Sequence, residues 1–121
     1  MYIERHSVVL ATDADGACTA YTDIVTGLLS QISYAKTDFA DGVDFVVTVE
    51  ETGETLWSET NVNASAVRAP RQLTYTSTGS SIAYAATFGV YDKIAIAKSR
   101  IKIVIAQGGD TKSGTLHFMI Q

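Results

Sequence analysis

A single cysteine, a single proline and two histidines in 121 residues close off several routes to stability and to chemistry. Cys18 has no partner for an intrachain disulfide, so the fold cannot depend on an oxidising compartment. Two histidines and one thiol cannot close a structural zinc site without carboxylate help. Nucleophilic catalysis needs a serine, threonine or cysteine beside an oriented base, and His6 and His117 fall in alternating strand patterns near opposite ends of the chain. With Pro70 as the only proline, turns have to be made by glycine and aspartate. No run approaches the ~18 apolar residues of a membrane-spanning helix. Met1 to Leu10 places Glu4, Arg5 and His6 before a short apolar stretch, too early-charged and too brief for a signal peptide. These shortages predict a protein that is not an enzyme, uses no metal or cofactor and has no membrane partner.

Positive charge is scarce where negative charge collects. From Asp38 to Glu59 there are seven acidic residues and no basic one, whereas Thr60 to Gln121 carries seven basic residues against Asp92 and Asp110. The net charge of −4 argues against nucleic acid as a partner, because neutralising phosphates takes clustered Lys and Arg. Two readings of the asymmetry stand side by side. Neighbouring strands from the two regions can pair their solvated charges within one chain. Alternatively, an acidic face on one copy meets a basic face on another, which supplies orientation.

What is present is β-structure. Residues 2–11 alternate, with Tyr2, Glu4, His6, Val8 and Leu10 on one face and Ile3, Arg5, Ser7, Val9 and Ala11 on the other. The turn Asp13 to Gly16 and a second strand from about Ala17 to Thr26 predict a hairpin. Gly27 permits a bend into a third strand through Tyr34, and Lys36 to Asp44 reads as a surface loop pinned by a buried Phe39. Phe45 to Glu50 and Thr55 to Thr60 form a second hairpin about Gly53. Asn61 to Arg71 is aperiodic and reads as a connecting loop into a short strand, Gln72 to Thr76. Ile82, Tyr84 and Ala86 alternate weakly, and Asp92 to Lys98 fits either a short strand or one helical turn. Ile101 to Ile105 and Leu116 to Ile120 flank a glycine-rich turn as a third hairpin. Residues 1–121 are therefore expected to form one domain, an antiparallel β-sandwich of jelly-roll type.

Short motifs with chemical echoes dissolve on inspection. Asp13-Ala14-Asp15-Gly16 opens like a calcium loop, but the twelfth position, which requires a bidentate glutamate, holds Ile24. The glycine-rich stretch 108–114 puts Thr111 before Lys112 where a phosphate loop needs glycine, and a strand follows instead of a helix. Asp38, Asp41 and Asp44 lack the spacing of a cation loop. Cys18 reads as a structural thiol and Trp57 as a core residue. The candidates that survive are protein contacts. Val67, Arg68, Pro70 and Arg71 form a compact basic loop suited to carboxylates on a partner, and Asp38 and Asp41 lead the acidic segment.

The strings Asp38-Phe39-Ala40-Asp41-Gly42-Val43-Asp44-Phe45, Thr55-Leu56-Trp57, Asn61-Val62-Asn63-Ala64-Ser65, Arg68-Ala69-Pro70-Arg71 and residues 102–109 together carry a resemblance. From about Asp38 onward the chain resembles small structural proteins encoded among the head genes of tailed bacteriophages. The resemblance implies a virion component made in the host cytoplasm, a decoration or cement protein on the capsid exterior. Its partners would be the major capsid protein and other copies of itself, many weak contacts adding up through repetition. A tail, adaptor or receptor-binding component of the same particle would use the same loops on another partner. A carbohydrate-binding sandwich is the alternative from a different class, although the six tyrosines are too scattered to form an evident aromatic platform.

Overall fold

The computed structural model describes residues 2–85 and 88–121, and no helix occurs among them. The strands are β1 (Glu4–Ala11), β2 (Cys18–Tyr21), β3 (Val25–Lys36), β4 (Asp44–Val49), β5 (Thr55–Glu59), β6 (Ala66–Arg68), β7 (Gln72–Leu73), β8 (Ala83–Ala85), β9 (Phe88–Gly89), β10 (Tyr91–Asp92), β11 (Ile94–Ser99), β12 (Ile101–Ala106) and β13 (Ser113–Ile120). One antiparallel sheet has the order β1-β13-β3-β11, with β6 also paired to β3, and a second has the order β2-β12-β4-β5. The inward residues of both sheets form one buried cluster, so the protein is all-β and consistent with the expected sandwich.

The pairings nest. β4 pairs with β5 across the tight turn at Gly53, and outside that hairpin β3 pairs with β11, β2 with β12 and β1 with β13, all antiparallel. The second expected hairpin is therefore real, and the first and third are not. β1 and β2 lie in different sheets, as do β12 and β13. Alternation decides which side of a strand faces the core, but it carries no information about which strand lies alongside. The turns themselves form as expected: the Asp13 carboxylate accepts from the amides of Asp15 and Ala17, and Gly16 takes φ +79°. They cross between sheets and brace each other, since the Gly108 amide donates to the Gly16 carbonyl at 2.9 Å and the Thr111 amide to that of Asp13 at 3.1 Å. A Cβ on Gly16 would stand 2.9 Å from the Gly109 nitrogen, so this approach requires glycine.

Three other boundaries move. β3 runs unbroken through Gly27, the ambiguous stretch 92–98 is mostly the strand β11, and the loop 61–71 contains β6, which pairs with Ile32 to Tyr34. The expected strand Gln72 to Thr76 shortens to β7 with a bridge between Tyr75 and Ser81, and Ala86 lies outside the described residues.

Aromatic rings join the sheets. Tyr34 of β3 meets Phe45 of β4 at 4.8 Å between ring centroids, and Phe45 stacks on Trp57 of β5 at 5.0 Å. Phe39 is buried beside both Tyr34 and Phe45, as expected for the loop it pins. Leu56 and Trp57 are both buried although they are consecutive, because the β4–β5 register shifts between Val47 and Thr48 and Leu56 is the extra residue.

The Tyr34 hydroxyl is buried and has no hydrogen-bond partner among the described residues, and burial raises its pKa to about 12. Tyr34→Phe removes this unsatisfied group and should raise unfolding stability by about 1 kcal/mol, measured by urea titration. In the wild type, stability should fall as the pH rises from 10.0 towards about 12, because the unfolded tyrosine ionises first. The variant should lack that loss. A stability unchanged or lowered by the substitution would contradict an unpaired hydroxyl.

Candidate protein-contact surfaces

Groups that could carry chemistry are spread over strand faces. Ser7 Oγ and His117 Nδ1 are 2.7 Å apart as direct cross-strand neighbours of β1 and β13, on the solvent side of the sheet. Among the described residues no carboxylate bonds to the other ring nitrogen, so the third member that orients a catalytic base is not assembled there. His6 Nε2 is 3.3 Å from the Glu4 carboxylate on β1. Cys18 is half-buried at the start of β2, packed against the core. No three His, Cys, Asp or Glu among the described residues are grouped to hold a metal ion.

The acidic candidates are employed inside the chain. Asp38 Oδ1 accepts from the Ser113 amide at 2.7 Å, tying the 37–43 loop to the start of β13. Asp44 Oδ1 accepts from the Asn61 amide at 3.0 Å, while Asp41 pairs with Lys36 Nζ at 3.4 Å and is otherwise exposed. Further along, Glu50 grips the Arg100 guanidinium with both oxygens, at 2.6 and 2.8 Å, and Arg100 covers the Tyr21 ring at 4.1 Å. Glu59 grips Arg68 in the same way, both contacts at 2.8 Å. The acidic segment and the basic remainder thus meet within one molecule at these two forks, the first of the two readings of the charge asymmetry.

The basic loop divides by residue. β6 pairs on β3, and Val67, opposite Ser33, turns outward with just over half its surface exposed. Arg68 is committed to Glu59, which also accepts from the Trp57 indole at 3.1 Å. The Arg68 fork, followed by the Trp57 bond, holds the Glu59 carboxyl down at about 2. A depressed carboxyl contributes stability that is complete above its ordinary 4.5 and is lost as the pH falls towards 2. Because both side chains are partly exposed, the contribution should be on the order of 1 kcal/mol. Glu59→Gln should flatten the acid limb of the stability profile between those two pH values, and an unchanged limb would deny the fork this role.

Arg71 is exposed, and among the described residues it donates to backbone carbonyls, Ser30 O at 3.1 Å and Pro70 O at 2.8 Å. It rims an open groove of about 420 Å³ lined by Thr55, Ser58, Arg68, Ala69 and Pro70 above the buried Leu56 and Trp57. Of the six sequence candidates, Arg68, Pro70 and Arg71 therefore meet at one surface, and Asp38 and Asp41 lie away from it in the 37–43 loop.

The sequence reading missed an arm. Between β6 and β11 the described residues of this arm, 72–85 and 88–92, pair among themselves: β7 pairs with β10, β8 with β9, and Thr74, Ile82 and Val90 bond in a ring of three amide–carbonyl contacts. Among the described residues, five of the thirteen exposed large hydrophobics sit on it: Tyr75, Ile82, Phe88, Val90 and Tyr91. That concentration is high for so short a stretch. One signal was available in the sequence, because no residue from Gln72 to Tyr91 is charged.

The chain matches no family model and no curated protein sequence.

Proposed function

We propose that this chain is a structural protein of a tailed bacteriophage particle, a decoration or cement protein on the head exterior that binds the major capsid protein and further copies of itself. The observation that carries a binding role is the arm: a stretch with exposed aromatic residues and, from Gln72 to Tyr91, no charged side chain, beside a sandwich whose main ion pairs are satisfied internally. Such a surface suits packing against protein. The virion assignment rests on the resemblance of the strings from Asp38 onward to phage head-cluster proteins. Support also comes from strand order. Leaving out the arm and β6, the principal strands number eight, and their order is first-eighth-third-sixth in one sheet and second-seventh-fourth-fifth in the other. We read this as a jelly roll, an architecture that serves viral capsids as well as lectins and cupins.

The test is composition of the particle. A tagged copy or a specific antibody, with quantitative mass spectrometry of purified virions, should find the chain in numbers comparable with the capsid protein. About six to a dozen copies would move it to a tail or adaptor position, set by the symmetry there. Its absence from virions that contain the capsid protein would end the reading.

A further inference from the structure

We draw no further inference here: the strongest candidate, the open concavity beside β7 lined by Glu54, Tyr75 and Asp92, carries nothing because it is a pair of acidic side chains beside an exposed ring, and nothing in the structure shows what covers them.

Discussion

Phe45→Ala should cost this protein about 3–5 kcal/mol of unfolding free energy, the range for removing a fully buried aromatic ring. Phe45 has no exposed surface and touches rings from both sheets: Tyr34 at 4.8 Å, Trp57 at 5.0 Å and Phe39 at 6.2 Å. The loss should exceed simple transfer, since the neighbours are fixed on separate strands and collapse poorly into the space left. At roughly 3–6 °C per kcal/mol for a chain of this size, the melting temperature should fall by about 10–30 °C. Trp57 emission should shift to the red at the same time, because its indole loses the ring stacked on it. A cost under about 1.5 kcal/mol in urea titration would mean that Phe45 does not join the two sheets energetically.

Gly114→Ala should lower stability by about 2–3 kcal/mol for the opposite reason, too much volume. Gly114 is buried in β13, and a Cβ there would stand 2.7 and 2.9 Å from two atoms of the Phe39 ring and 3.2 Å from the Tyr34 ring. Neither ring has room to retreat, as both belong to the central aromatic cluster. Phe39→Leu alone should cost roughly 1 kcal/mol and should absorb part of the clash when combined, because the smaller side chain clears the Cβ. The double variant should therefore be more stable than the sum of the two losses by about 1 kcal/mol or more. Strict additivity would show that Gly114 is not where Phe39 and its loop are held against the sandwich.

The same residues mark how far a sequence can be read. Local devices were legible: the Asp13 to Gly16 turn, the Gly53 hairpin and the aromatic that pins the 37–43 loop all depend on neighbours a few residues away. Side chains with two possible fates were harder. The reading of Trp57 as core holds, but consecutive burial of Leu56 and Trp57 needs the register shift against β4, which no periodicity announces. Arg68 and Arg71 look equivalent in the sequence. They differ because Glu59 at the end of β5 lies within reach of one and not the other.

The sequence by itself determined the all-β class, the two alternating faces of strands such as β1, β12 and β13, and the scarcity of cysteine and histidine. All three follow from composition and period-two alternation. Tertiary structure alone decided the partners: β1 beside β13 from the far end of the chain, β2 beside β12, and the Asp38 carboxylate on the Ser113 amide. It also decided that the short strands β7 to β10 pair among themselves instead of joining either main sheet. The physical reason is common to all of these. Alternation and turn chemistry are properties of a few adjacent residues, whereas strand neighbours are chosen by how two whole faces pack across one core.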